Sequence, residues 1–106
     1  MQVIKTPLEG VLVIEPKVFK DSRGFFVETY NEERYMQAGI TARFVQDNMS
    51  ASTYGVVRGL HFQRPPYTQA KLVSCIEGEV LDVAVDLRKD SPTYGQWYSV
   101  LLSAEN

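Results

Sequence analysis

The sequence predicts an all-β fold, an antiparallel β-sandwich or barrel with one short helix. Most apolar residues recur with a period of two, which is typical of strands with one buried face. Seven or so such segments are separated by turn signals, and only one segment has the pattern of a helix. The 106 residues suit a single domain with a modest core.

Three segments of the first half predict strands. "GVLVIEPKVF", residues 10–19, predicts one strand in which Pro16 marks an edge or a bulge. "KDSRGFFVETY" predicts a turn followed by a strand, with Asp21 and Gly24 at the first and last turn positions. "ARFVQDN", residues 42–48, predicts a further short strand.

The helix is predicted in "NEERYMQAG", residues 31–39. Asn31 can cap its first turn, and the two acidic residues that follow favour the positive end of the helix dipole. Gly39 can end the helix.

The second half predicts two longer strands. From Val80 to Arg88 the side chains alternate, with one apolar face made of Leu81, Val83, Val85 and Leu87. Residues 95–103, "GQWYSVLLS", predict the next strand. The chain ends on "LLSAEN", as though another strand followed, so we expect an incomplete chain with an unpaired edge.

Composition excludes several classes of protein. A net charge of −2, from 11 basic and 13 acidic residues, argues against nucleic-acid binding by bulk charge. Neither a signal peptide nor a membrane span of roughly 20 apolar residues is predicted, so a cytoplasmic location without a membrane partner is expected. The single cysteine, Cys75, predicts a small buried hydrophobe rather than a disulfide or a zinc cluster.

The stretch "VVRGLHFQRPPYTQAKLV", residues 56–73, holds the only histidine of the chain, His61. The adjacent prolines end one strand, and a second strand pattern runs from Gln69 to Ile76. A hairpin centred on Pro66 would place Lys71 directly opposite His61, with Cβ atoms about 5 Å apart. A neighbouring ammonium favours the neutral imidazole, which is the form that a general base requires.

Strict alternation would put Arg58 and His61 on opposite faces. A bulge at Gly59 would bring them onto one surface, while the other face, which reads as core, carries Val56, Leu60 and Phe62. From spacing alone, a structural or exposed histidine and solvated cations are the ordinary alternatives. A single histidine also argues against a metal site.

Two polar clusters are further candidates. Glu28, between Phe26 and Tyr30 on one strand face, could bind a base or a sugar hydroxyl, or lie at an exposed rim. Amide and carboxylate groups follow in a second cluster, which suits recognition of a nucleobase or an ordinary turn: Gln46, Asp47 and Asn48.

Taken together, the segments "FKDSRGFFVETY", "VQDNMSAS", "VVRGLHFQRPP", "QAKLVSCIEGEVLDVAVDLRKDSPTYGQW" and "LSAEN" resemble the dTDP-4-dehydrorhamnose 3,5-epimerase family. The resemblance covers nearly the whole chain from Phe19 onward. It implies a cupin-like antiparallel β-sandwich (jelly roll) and a homodimer.

The resemblance also implies roles for individual residues. His61 matches the general base, and Lys71 matches the cation beside the C4 carbonyl of the sugar. Arg23 and Arg58 match contacts to the nucleotide diphosphate and sugar. Further nucleotide-sugar contacts are implied for Glu28, Gln46, Asp47 and Asn48.

The implied reaction inverts C3 and C5 of dTDP-4-dehydro-6-deoxy-D-glucose to give dTDP-4-dehydro-L-rhamnose, in dTDP-L-rhamnose biosynthesis for cell-surface polysaccharide. It needs no cofactor and no metal. The family's chain is longer, and its second half supplies a tyrosine acid, a carboxylate paired with the histidine and a second histidine. The sequence stops before those motifs, which predicts an amino-terminal part; Asp82 is a hypothetical substitute for the carboxylate.

Three alternatives stay open. The chain could bind a dTDP-sugar without catalysis, could invert one carbon only as a related 3-epimerase, or could be a structural β-domain. Proton exchange, product stereochemistry and the effect of His61→Ala distinguish these functions.

Overall fold

The computed structural model describes all residues, 1–106, and contains six strands and one helix. Antiparallel pairing joins the strands two by two into three separate sheets, in chain order. The predicted all-β class with one short helix is therefore confirmed. The elements are β1 (Gln2–Lys5), β2 (Leu12–Glu15), β3 (Val18–Asp21), β4 (Gly24–Val27), α1 (Glu32–Gln37), β5 (Glu79–Val85) and β6 (Trp97–Ser103).

The β1–β2 hairpin differs from the prediction, because β1 has no counterpart among the predicted strands and residues 10–19 form two strands instead of one. Pro16 instead separates β2 from β3, because proline has no N–H for a sheet ladder. The Thr6 hydroxyl closes the β1–β2 connection by donating to the Val11 carbonyl at 2.8 Å. Leu8 lies inside this loop and is only 2% exposed.

The β3–β4 hairpin turns through two residues, as predicted between Asp21 and Gly24. The Asp21 carboxylate accepts a hydrogen bond of 2.8 Å from the backbone N–H of Arg23, which holds the turn. Gly24 has φ +136°, a backbone conformation that favours glycine.

Helix α1 begins and ends at the predicted signals. The Asn31 side chain accepts from the backbone N–H of Arg34 at 3.0 Å, and Gly39 follows the helix with φ +87°. Tyr35 is the one buried residue of the helix, and its hydroxyl donates to the Thr29 carbonyl. Burial raises the pKa of Tyr35.

The β5–β6 sheet is the longest ladder, running from Glu79 opposite Ser103 to Val85 opposite Trp97. The predicted strand is confirmed from Val80 to Val85, where Leu81, Val83 and Val85 share one face, but β5 ends at Val85, so Leu87 lies beyond the strand.

A buried carboxylate, Asp86, organises the loop between β5 and β6. The Arg88 guanidinium donates to both of its oxygens, at 3.0 and 3.1 Å, and the Arg88 backbone N–H donates as well. Hydroxyl groups of Ser91 and Thr93 donate to Oδ2, the latter at 2.6 Å. The side-chain hydrogen bonds from Arg88, then those from Ser91 and Thr93, hold the pKa of Asp86 well below its usual range.

The strands predicted at 42–48, 56–64 and 69–76 are wrong, because residues 41–78 form no sheet ladder. A strand needs a neighbour for its N–H and C=O groups, and no strand lies beside this segment. The expected core face at Val56, Leu60 and Phe62 is exposed by 52%, 75% and 63%.

The hydrophobic core of the 106-residue chain is small. Only Leu8, Tyr35 and Asp86 are buried, and the radius of gyration is 15.3 Å. A compact domain of this length has a radius of gyration of about 13 Å. Most apolar side chains of the predicted faces therefore stay exposed, and the 106 residues do not close them into one core.

Two smaller expectations concern Cys75 and membranes. Cys75 is half-buried and its thiol donates to the Glu77 carbonyl at 3.2 Å, so the expected full burial is wrong. The chain has no helix with the length and apolar character needed to cross a membrane.

Asp86→Asn is expected to lower the midpoint of thermal unfolding by at least about 5 °C at pH 7, because an amide cannot accept from the guanidinium and both hydroxyls as the carboxylate does. The folded-state pKa of Asp86 is depressed, so its contribution is present above the unfolded pKa of about 3.9 and is lost as the pH falls below it. Circular dichroism melts at pH 7 and at about pH 3 measure the difference, which must shrink at the lower pH.

Asp90→Asn is the matched control, because Asp90 lies exposed in the same loop and loses the same charge. Equal losses of thermal stability in the two variants would contradict a special role for Asp86.

Candidate functional site

The predicted site is centred on a stretch without acidic residues, which we call the cationic segment (residues 48–76). It carries Arg58, Arg64 and Lys71 but no Asp or Glu, whereas the whole chain has a net charge of −2. Within this segment, a negatively charged ligand meets cations and no carboxylate.

His61 and Lys71 are both exposed on this segment, on either side of a turn. The turn runs from Arg64 to Tyr67, whose N–H donates to the Arg64 carbonyl at 2.9 Å. If the chain on either side of this turn paired outward from Arg64 and Tyr67, His61 would lie opposite Ala70. The predicted direct pairing of His61 with Lys71 is therefore wrong. The turn is centred between Pro65 and Pro66, half a residue before the predicted centre, and no ladder forms to hold either register.

Arg58 is anchored to the loop that precedes it. Its Nε donates to the Ser52 hydroxyl at 3.1 Å, and its Nη2 donates to the Ala51 carbonyl at 3.4 Å. Both acceptors are neutral, so the guanidinium keeps its charge uncompensated and its Nη1 free for an anion. Gly59 has φ +109° but belongs to no strand, so the expected bulge is wrong, although the backbone does depart from extended geometry there.

Arg23 lies at the tip of the β3–β4 hairpin and is paired with Asp21 at 2.7 Å. The hydrogen bond to Arg23 lowers the pKa of Asp21, and the same bond raises the pKa of Arg23. The side chains are 88% and 51% exposed, so this ion pair adds little stability and can be exchanged for another anion. Arg23 also lines an open groove with Phe19, Lys20, Phe25 and Phe26.

Glu28 is held by the helix rather than by its aromatic neighbours. Its carboxylate forms an ion pair with Arg34 and accepts from the Asn31 side chain at 3.3 Å. Asn31 therefore caps α1 with its oxygen and orients Glu28 with its nitrogen.

The polar cluster after Phe44 is exposed throughout. The Gln46 amide donates to the Asn48 side-chain oxygen at 3.2 Å, and Asp47 lies between them. Their remaining donors and acceptors face solvent and are available to a ligand.

The structure brings some predicted residues together and leaves others apart. Among the predicted site residues, a hydrogen bond joins Gln46 to Asn48, whereas Arg23 and Glu28 form ion pairs with Asp21 and Arg34, which were not predicted site residues. Asp82 lies opposite Val100 in the β5–β6 ladder. No group of three or more His, Cys, Asp or Glu side chains lies close enough to hold a metal ion.

Sequence reasoning missed the partnership of Ser52 with Arg58 and the proximity of Gly59 to His61. In the sequence, nothing distinguishes Ser52 from the other small polar residues around it. No local pattern indicates a contact across six positions outside regular secondary structure.

Solved structures show what class of protein these elements belong to. The chain superposes with a TM-score of 0.95 on a crystal structure of dTDP-4-dehydrorhamnose 3,5-epimerase from Bacillus anthracis with TDP and PPi bound, at 48% identity, covering 99% of this chain and 61% of that one. It superposes with a TM-score of 0.93 on the 3,5-epimerase from Legionella pneumophila in complex with dTDP-4-keto-L-rhamnose, at 55% identity, covering 99% and 56%. The chain thus has a cupin-like β fold.

The family model for dTDP-4-dehydrorhamnose 3,5-epimerase matches residues 5–106. A curated dTDP-4-dehydrorhamnose 3,5-epimerase from Shigella flexneri is 60% identical over 107 residues, covering 100% of this chain and 59% of the relative. This chain belongs to the dTDP-4-dehydrorhamnose 3,5-epimerase family, and it spans about three fifths of the length of these relatives.

Ser52→Ala is expected to release Arg58 from its loop. Loss of a hydrogen bond worth about 1 kcal/mol should speed solvent exchange of the Arg58 Nε–H about fivefold. Nitrogen-15 NMR of the arginine side chains measures that rate.

Ser50→Ala is the matched control, because Ser50 is an exposed serine in the same loop without a hydrogen bond to Arg58. An unchanged Arg58 exchange rate in Ser52→Ala would show that the hydrogen bond does not restrain the guanidinium.

Proposed function

We propose that this chain carries the base and the anion-binding side of a sugar-nucleotide epimerase that inverts C3 and C5 of dTDP-4-dehydro-6-deoxy-D-glucose. The observation that carries the proposal is the family match over residues 5–106, combined with an exposed histidine in a segment that has cations and no acid. The product would be dTDP-4-dehydro-L-rhamnose.

His61 is the proposed base. The C4 ketone acidifies the protons on C3 and C5, because loss of either leaves an enolate delocalised onto the ketone oxygen. The imidazole takes that proton with its free lone pair, and the electron pair of the C–H bond moves into the enolate. Return of a proton to the opposite face restores the C–H bond and inverts the carbon.

Lys71 is the proposed stabiliser of the enolate oxygen. It is exposed on the same segment as His61, and none of the three ion pairs of the chain involves it. An ammonium free of carboxylates can bind a developing negative oxygen, which is the role of an oxyanion hole.

Arg58 and Arg23 are the proposed ligands of the diphosphate. Arg58 is pre-oriented by two neutral acceptors, and Arg23 can exchange its exposed carboxylate partner for phosphate oxygens. Guanidinium groups fork onto such oxygens with two parallel hydrogen bonds.

Sugar and base contacts are proposed for the remaining polar residues. Glu28 is oriented by α1, and the amides after Phe44 offer both donors and acceptors to a nucleobase edge. These contacts come from Glu28, Gln46, Asp47 and Asn48.

Deuterium uptake tests the function. In heavy water with dTDP-4-dehydro-6-deoxy-D-glucose, the chain should deuterate C3 and C5 faster than the solvent background, as followed by proton NMR. His61→Ala should slow exchange about 10²- to 10⁴-fold, the usual contribution of a general base. Lys71→Gln should slow exchange about 10²- to 10³-fold, because an oxyanion would lose its counter-charge.

Gln63→Ala is the matched control, because Gln63 is an exposed neutral residue two positions from His61. Exchange at C3 alone would indicate a single-centre 3-epimerase. Binding of dTDP without exchange would indicate a binding module, and a His61→Ala variant as fast as the unaltered chain would refute the assignment of the base.

A homodimer is part of the proposal. The β3–β4 hairpin presents Phe19, Phe25 and Phe26 with exposures of 52%, 70% and 70%, and large exposed apolar patches mark interaction sites. Sedimentation equilibrium should give twice the chain mass of 12.0 kDa.

Replacing Phe25 and Phe26 with serine should shift that equilibrium toward the monomer. Tyr54→Ser, at a fully exposed aromatic residue outside the hairpin, is the control and should leave the mass unchanged. A monomeric unaltered chain would contradict the dimer.

A further inference from the structure

Gly59 lies against the imidazole of His61. A Cβ atom built on Gly59 would be 3.2 Å from His61 Nδ1, 3.4 Å from the His61 backbone nitrogen and 3.7 Å from Cε1. Contacts of 3.2 Å are tighter than nine in ten that real Cβ atoms make. A side chain at position 59 would therefore displace the ring or the backbone.

This contact distinguishes Gly59 from the other glycines. All seven glycines have positive φ, from +72° at Gly78 to +136° at Gly24, so each favours glycine for its backbone conformation. For the other six, an added Cβ meets no atom within 4 Å. Only at position 59 does a missing side chain also make room for another residue's side chain.

We propose that Gly59 is a positioning residue that orients the imidazole of His61. The missing side chain lets the Nδ1–Cε1 edge of the ring lie over the backbone of residue 59. Nε2 is then the ring nitrogen farther from Gly59 and the one presented to a reacting C–H group. The exposed ring makes no strand contacts that would hold it otherwise. The catalytic part of this inference rests on the proposed function.

The orientation can be measured without activity, because His61 is the only histidine and its ring signals are unambiguous. In the unaltered chain, a nuclear Overhauser contact is expected between the Gly59 α-protons and the His61 Hε1 proton. In Gly59→Ala, that contact should be lost, and the chemical shifts of Cε1 and of the ring nitrogens should change.

Catalysis supplies a second readout. A displaced ring should slow C3 and C5 deuteration in Gly59→Ala about 10²-fold, the usual cost of misplacing a catalytic group by about 1 Å. The dissociation constant for dTDP should change by less than about twofold, because Arg58 keeps its own anchors at Ser52 and Ala51.

Gly55→Ala is the matched control. Gly55 has φ +86° in the same segment, so alanine brings comparable backbone strain, but no atom lies within 4 Å of the added Cβ. Unchanged His61 signals and near-normal exchange are expected in Gly55→Ala.

Two results would overturn the positioning role. One is the absence of the Gly59–His61 contact in the unaltered chain, a test that does not depend on whether Gly59→Ala folds. The other is an equal loss of exchange in Gly55→Ala, which would assign the effect to backbone strain. If the contact and the shift changes are found but the unaltered chain exchanges no protons, the proposed function fails and the orientation of His61 by Gly59 stands.

Discussion

The longest ladder of the structure depends on one buried carboxylate. Asp86 follows β5 directly. Its carboxylate oxygens accept hydrogen bonds from the Arg88 guanidinium and from the hydroxyls of Ser91 and Thr93. These bonds close the loop that brings β6 back beside β5, and the Asp86 N–H donates to the Gln96 carbonyl as the ladder begins. Since a buried charge is stable only when it is fully hydrogen-bonded, the four groups form one structural unit.

The candidate site has the opposite character. Its cations and its histidine lie exposed on the cationic segment, where hydrogen bonds are few and no ladder forms. The apolar residues between them are also exposed, Val57 by 89%. Burial of such residues stabilises a strand by about 25 cal/mol per Å² of apolar surface. Within the 106 residues, that stabilisation is not obtained, so the backbone of this segment is held by its local turn and by the Arg58 anchors.

In this arrangement the histidine has no support from a sheet. Gly59 leaves space for the ring. The backbone reverses direction in the turn from Arg64 to Tyr67, and Arg58 is hydrogen-bonded to the preceding loop. The proposed formation of an enolate needs a base and a positive charge near one ketone. Both residue types are present on one segment that contains no competing carboxylate.

Local signals in the sequence determined the elements that a few neighbouring residues can make by themselves. The Asn31 cap, the Gly39 end of α1, the Asp21 turn and the alternation of β5 were all predicted, because each depends on contacts within a few residues. The candidate residues, from Arg23 to Lys71, were predicted by motif, because a motif is defined by residue types and their order along the chain.

Only the tertiary structure decided which strands pair and which side chains touch. The strands between residues 41 and 78 were predicted from the alternation of apolar and polar residues. Alternation within one strand does not specify which strand pairs with it, and no strand lies beside this segment. The predicted pairing of His61 with Lys71 failed because no ladder forms in this segment, and because a turn centred half a residue earlier shifts every opposite partner by one. The Asp86 network and the Gly59 contact depend on where the backbone turns, which residue type alone does not specify.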